Sequence, residues 1–129
     1  MTKKIFSLSE VNSAVNENDI EEIDLRFITI TAKDAEIFSA NLEKFTGLKS
    51  VNFLHLRFEN DQARKIFYST IANIRTLVTF SFSGCQVNTT FIDDFIEILT
   101  KNSSLIRIEL FALQCDIEIF EKIIAATIM

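Results

Sequence analysis

The sequence is short of the residues that bend or interrupt a chain. It contains no proline and only two glycines, Gly47 and Gly84, among its 129 residues. Its turns must therefore depend on Asn, Asp, Ser and Thr, and no stretch has the composition of a flexible linker. The length suits one compact domain over residues 1–129, which would bury roughly two thirds of the surface of the unfolded chain.

Long apolar runs are also missing. No run approaches the ~18–20 apolar residues that cross a bilayer, and no segment has the apolar core of a signal peptide. We therefore expect no membrane contact and a cytoplasmic location. The net charge of −5 arises from 18 acidic and 13 basic residues that are mixed along the chain, and this balance disfavours binding to nucleic acid.

The sequence has few residues that could carry catalysis. His55 is the only histidine, and no Cys or carboxylate stands at metal-ligand spacing from it, so we expect no metal and no cofactor. A nucleophile needs a base that a third group holds in place, and without such a set we expect no enzyme. Cys85 and Cys115 are predicted to be buried thiols rather than a disulfide.

What the sequence does contain is a repeat of about 28 residues, in which a strand-like alternation precedes a helix-like spacing. The unit begins at Ile20, Leu48, Leu77 and Leu105, which gives repeats at 20–47, 48–76, 77–104 and 105–129. The apolar strand positions are Ile20, Ile23, Leu25, Ile28 and Ile30; Leu48, Val51, Phe53, Leu56 and Phe58; Leu77, Phe80, Phe82, Cys85 and Val87; and Leu105, Ile108, Leu110, Leu113 and Cys115.

The second half of each unit predicts a helix with one core-facing stripe. The stripes are Ala35, Phe38 and Leu42; Phe67, Ile71 and Ile74; Phe91, Ile92, Phe95, Ile96 and Leu99; and Phe120, Ile123 and Ile124. Thr90 with Asp93 resembles a capping box, and Ser7 with Glu10 predicts a short N-terminal helix within residues 1–19 that caps the first repeat. Neighbouring units must stack, because one unit cannot bury its own apolar side.

These positions resemble the leucine-rich repeat family, in the strand-helix form of the ribonuclease-inhibitor type, over residues 20 to 129. The ninth position, which is usually Asn or Cys in that family, is Cys85 in the third repeat but Ile28, Leu56 and Leu113 in the others. The resemblance implies an α/β solenoid with four parallel strands on a concave face and helices on the convex face. It also implies a mostly non-catalytic role in binding another macromolecule.

In this register, the side chains between the apolar strand positions point out of the concave face. The candidate partner-binding residues there are Asp24, Arg26, Leu54, His55, Glu109 and Phe111. Apolar side chains where solvent is expected favour an interface, so we place Leu54, His55 and Phe111 with Arg26 at its centre. The alternatives are that neighbouring groups cover the apolar side chains, Phe27 included, and that the charged ones are simply solvated.

The predicted face is small. Four strands at about 4.8 Å spacing and about five residues each give about 300 Å², whereas an ordinary interface buries about 800 Å² on each partner. We therefore expect the concave face alone to bind weakly.

The C-terminal helix is apolar and has no polar capping unit after it, although solenoids need capped ends. This pattern predicts self-association through Ile123, Ile124, Ile128 and Met129, a partner that covers this end, or a longer protein. We expect a non-enzymatic protein-protein interaction module, such as a bacterial effector or adaptor that acts in the cytoplasm or in a host cell. The alternative is a structural unit that forms a homodimer through its C-terminal end.

Overall fold

The computed structural model describes residues 3–13, 20–84, 92–101, 104–111 and 117–127. In these residues the protein is an α/β structure with a five-stranded parallel sheet, a two-stranded parallel sheet and five helices. The elements are β1 Lys3–Ile5, α1 Leu8–Ser13, β2 Ile20–Arg26, β3 Thr29–Ile30, α2 Ala32–Leu42, β4 Ser50–Leu54, β5 Arg57–Phe58, α3 Asp61–Ala72, β6 Thr79–Ser83, α4 Ile92–Lys101, β7 Arg107–Glu109 and α5 Ile117–Thr127.

The larger sheet has the order β1-β2-β4-β6-β7, so its strands follow one another as they do in the sequence. Every neighbouring pair is parallel, and the pairing joins Ile23 to Val51, Val51 to Phe80 and Phe80 to Ile108. These residues hold the fourth position of each predicted unit. The predicted strand register is therefore confirmed across four repeats.

The N-terminal region corrects one prediction. The chain begins with a strand, β1, in which Lys4 pairs with Glu22 and Ile5 with Ile23, so the sheet has five strands rather than four. A three-residue strand with one apolar residue is too short to show a period of two. The predicted helix follows it as α1, and the Ser7 hydroxyl accepts a hydrogen bond from the Glu10 N–H at 3.2 Å, as the capping pattern indicates.

Polar side chains set the starting points of the next two helices. The Thr31 hydroxyl accepts from the Asp34 N–H at 3.0 Å while the Asp34 carboxylate accepts from the Thr31 N–H at 3.2 Å, which is a complete capping box. The Asn60 side chain accepts from the Ala63 N–H at 2.9 Å. Each helix then packs on the next along the chain, and the helices form one layer.

The core lies between this helix layer and the sheet. The fourth and sixth strand positions of β2, β4 and β6 are buried, and they meet an aromatic cluster from α2, α3 and α4. The Phe53 ring lies 5.1 Å from that of Phe67 and 6.3 Å from that of Phe80, centroid to centroid. Edge contacts of this kind add about 0.5–1.5 kcal/mol each to the burial of apolar area.

The last repeat departs from the predicted burial. Leu105, Ile108 and Leu110 are only partly buried, and α5 turns Ile119 and Ile123 into the core. Phe120 and Ile124 were predicted to be core residues, but they are 52% and 43% exposed. The prediction is wrong because, among the described elements, α5 packs mainly on α4, and a helix with one main neighbour buries a narrower stripe.

Several predicted features fall outside the described residues: Thr90, Phe91, Leu113, Ile128, Met129 and both cysteines, Cys85 and Cys115. Within the described ranges, no helix is both long enough and apolar enough to cross a membrane. No group of three metal-ligating side chains occurs in the same ranges.

Candidate functional site

The candidate site is the sheet face that lies opposite the helices, which we call the open face. Its side chains come from the third, fifth and seventh strand positions, and the pairing aligns them in rows. The rows are Glu22, Ser50, Thr79 and Arg107; Asp24, Asn52, Ser81 and Glu109; and Arg26, Leu54 and Ser83. The side chains predicted to point away from the core are therefore brought together on one surface.

Asp24 is the one charged side chain of this face that is fully buried, among the residues described. Arg26 donates to it twice, from Nε to Oδ1 at 2.8 Å and from Nη2 to Oδ2 at 2.9 Å. Asn52 donates from Nδ2 to Oδ2 at 3.3 Å, and the Lys4 ammonium lies 3.5 Å from Oδ2 and also pairs with Glu22. The interpretation of Asp24 as a solvated charge is wrong, because these neighbours cover it.

The same contacts decide the charge state of the cluster. The hydrogen bonds from Arg26 lower the pKa of Asp24 below its usual value, against the opposing effect of burial. The hydrogen bond to Glu22 raises the pKa of Lys4, and the bond to Asp24 raises that of Arg26. All three groups are charged at neutral pH, so charged hydrogen bonds hold the Arg26 guanidinium in place.

The chain leaves each of the three central strands through a left-handed residue. Phe27 has φ 55°, His55 has φ 52° and Gly84 has φ 63°, and all three hold the eighth position of their repeats. Their N–H groups extend the sheet ladder, donating to the carbonyls of Leu54, Ser83 and Phe111 at 2.9, 2.8 and 2.9 Å. A left-handed Phe or His costs about 1–3 kcal/mol, and the hydrogen bonds that extend the sheet offset this conformational cost.

This column also stacks. The rings of Phe27 and His55 lie nearly parallel, with centroids 5.0 Å apart and planes 16° apart. A Cβ added to Gly84 would lie 2.4 Å from His55 Cε1. Gly84 therefore leaves the space that the imidazole occupies, and it adopts its positive φ without the steric cost that Phe27 and His55 carry.

The four residues predicted to form the centre of the site line the carboxyl-end edge of the sheet, from Arg26 on β2 to Phe111 after β7. Arg26 and Leu54 are Cα partners in the sheet, and His55 follows Leu54. Phe111 is joined to this edge because its carbonyl accepts from Gly84, and its side chain is 61% exposed. Leu54 is half-buried, so the apolar surface at this edge consists mainly of the two phenylalanines Phe27 and Phe111.

The other predicted residues have secondary roles. Glu109 lies in the fifth-position row and pairs with the exposed Arg107 at 2.8 Å. Asp24 lies in the same row and holds Arg26 through two hydrogen bonds. At the C-terminal end Ile123 is 1% exposed, so only Ile124 of the described candidates offers a surface for self-association. Ile117 and Phe120 are also exposed on α5, and Ile106 is exposed before β7; the prediction of self-association did not include these three.

Sequence reasoning missed a cleft of about 710 Å³ next to this edge. Arg57 and Arg64 line it together with Phe27, His55 and Gly84. The two arginines follow the strand part of the second repeat, where the repeat pattern assigns no role to polar residues. Arg57 lies in the short strand β5 and Arg64 in the first turn of α3, and the loop between them, which brings both to one cleft, has no pattern in the sequence.

Comparison of the sequence with protein-family models and with curated proteins finds no match. The geometry of the open face and its edge must therefore support any functional proposal by itself.

Proposed function

We propose that the chain is a short solenoid of the leucine-rich-repeat type that acts as a non-enzymatic protein-binding module. The sequential parallel sheet, the helix layer on one side of it and the burial of matching positions every 28 or 29 residues all support this assignment. Phe27, which the prediction left outside the site, belongs to the proposed surface.

One observation carries the binding role. Phe27 and Phe111 are 70% and 61% exposed on the carboxyl-end edge of the open face, Phe27 directly after Arg26 in β2 and Phe111 at the far end of that edge, after β7. Exposed aromatic rings with an arginine among them are the side chains that most often dominate protein interfaces. The area of the face alone is small, so the partner must also contact the loops that follow the strands.

The test is capture of partners from a cell lysate by the native protein and by variants. Leu54→Ser together with Phe111→Ser should abolish capture, because both remove apolar contact at the edge. Ile106→Ser is the matched control, since this isoleucine is 84% exposed just before β7, at the opposite end of that strand from Phe111. A partner that both variants retain equally would overturn the proposal.

A second function has its own support at the C-terminal end. Ile117, Phe120 and Ile124 stand three and four residues apart on α5, so they share one face of the helix, and they are 74%, 52% and 43% exposed. We propose as the alternative that this stripe joins two copies of the chain. Light scattering at high concentration should then give a dimer that Phe120→Ser converts to a monomer, and a monomer throughout would exclude it.

A further inference from the structure

The cleft beside the open face has an unusual balance of charge. Its lining includes Arg57, Arg64 and His55, and no acidic side chain among the described residues contributes to it. The whole chain carries a net charge of −5, so this cleft is a local concentration of cationic and donor groups in an acidic protein. Such a setting attracts anions at short range.

Aromatic rings support the donors on both sides of the cleft. The guanidinium carbon of Arg64 lies 5.3 Å from the centroid of the Phe58 ring, and the His55 ring stacks on Phe27. Arg57 is exposed, and its Cα pairs with that of Thr29 in the small sheet. Arginine presents a planar fork of N–H donors that fits carboxylate and phosphate oxygens.

We propose that this cleft binds an oxyanion, a carboxylate or a phosphate group, carried by a side chain of the protein partner. The proposal rests on the proposed function, because the oxyanion is assigned to the partner that contacts the open face. Phe27 and His55 belong both to the cleft and to the edge of that face. A partner seated on the exposed rings would thus place one acidic group within reach of the two arginines.

The single histidine makes a direct measurement possible. His55 is the only residue that contributes imidazole C–H resonances, so its proton NMR signals report on the cleft without further labelling. Inorganic phosphate and acetate are titrated separately at constant pH, with sodium chloride at the same ionic strength as the reference. A saturable shift with phosphate or acetate is expected, and a shift equal to that in sodium chloride would overturn the proposal.

Substitutions then locate the bound ion. Arg57→Gln and Arg64→Gln should each weaken binding about threefold or more, because each removes a charge-assisted donor. Arg57 is exposed, so its variant remains informative if the half-buried Arg64 proves necessary for folding. Arg75→Gln is the matched control, since this exposed arginine lies near the C-terminal end of α3. Saturable binding that survives both cleft substitutions would also overturn the proposal.

The two anions distinguish the source of the oxyanion. Binding of phosphate that is tighter than its greater charge alone explains favours a phosphorylated residue, and equal or weaker binding than that of acetate favours an Asp or Glu side chain. Ion binding in the cleft and partner capture by the open face are measured separately. Failure of ion binding with capture still dependent on Leu54 and Phe111 rejects the cleft alone, whereas ion binding without such capture rejects the face alone.

Discussion

The second and the last strands of the sheet carry the same repeat but are packed differently. In β2, Ile23 and Leu25 are fully buried, whereas in β7 the equivalent Ile108 is only partly buried. The difference follows from neighbours: β2 lies between β1 and β4, while β7 pairs with β6 alone. In a stacked array each unit is stabilised by the units on both sides, so equivalent residues need not contribute equally.

The largest difference in stability should come from truncating an isoleucine to alanine in β2 and in β7. Ile23→Ala should lower the free energy of unfolding by about 3–4 kcal/mol, because it opens a cavity in a filled core. Ile108→Ala should cost only about 1 kcal/mol, since solvent already reaches this side chain. Urea denaturation of the two variants measures both values, and equal losses would contradict the comparison.

The fifth strand position allows β2 and β7 to be compared through polar side chains, Asp24 and Glu109. Asp24→Asn should cost about 2 kcal/mol at neutral pH, because it removes the charged acceptor of a buried cluster. Glu109→Gln should cost less than about 0.5 kcal/mol, since its partner Arg107 is 72% exposed. Thermal or urea unfolding of the two variants should separate them clearly.

The pH dependence of this effect has a defined sign. The pKa of Asp24 is lower in the folded protein than its usual value, so its stabilisation is present above the pKa of the unfolded chain. It is lost as the pH falls through the lower, folded pKa, that is, below about pH 4. The stability difference between the native protein and Asp24→Asn should therefore narrow there, and a constant difference down to about pH 2 would contradict the assignment.

A smaller effect is expected at the left-handed column. Gly84→Ala should lower the free energy of unfolding by about 1–2 kcal/mol, because the alanine must adopt φ 63° and its methyl group meets the His55 ring. In a His55→Ala background only the φ cost remains, so the two substitutions should couple by about 0.5 kcal/mol or more. Full additivity in urea unfolding would show that the imidazole does not occupy the space above Gly84.

The strand register was predictable because it depends on a local pattern that recurs. Ile23, Val51 and Phe80 hold one position of the unit, and their pairing follows once the period is recognised. The burial of Asp24 was not predictable in this way, because it depends on how the side chains of Arg26, Asn52 and Lys4 arrange around it, and Lys4 comes from a strand without a readable pattern.

The candidate site was predictable only in part, for a related reason. Leu54 and Phe111 were selected as candidates because they are apolar in the seventh-position row, where Arg26 and Ser83 are polar. The left-handed conformations of Phe27 and His55 were not found, since only Gly84 is a residue type that indicates positive φ. The exposure of Phe120 could not be predicted from the sequence of α5, because it depends on which neighbouring helices cover α5. Among the described elements, the main neighbour is α4.

The smallest effect is expected on the exposed side of α5. Ile117→Ser should change the free energy of unfolding by less than about 0.5 kcal/mol in dilute solution, because this side chain is already 74% exposed. Phe120→Ser should cost about 1 kcal/mol, because about half of its surface is buried. The measurement is urea unfolding at two protein concentrations. If two copies join through this stripe, the native protein gains stability with concentration by mass action, and the variants do not. A large loss in dilute solution would instead mean that Ile117 and Phe120 belong to the core, and that the last repeat is packed as fully as the second.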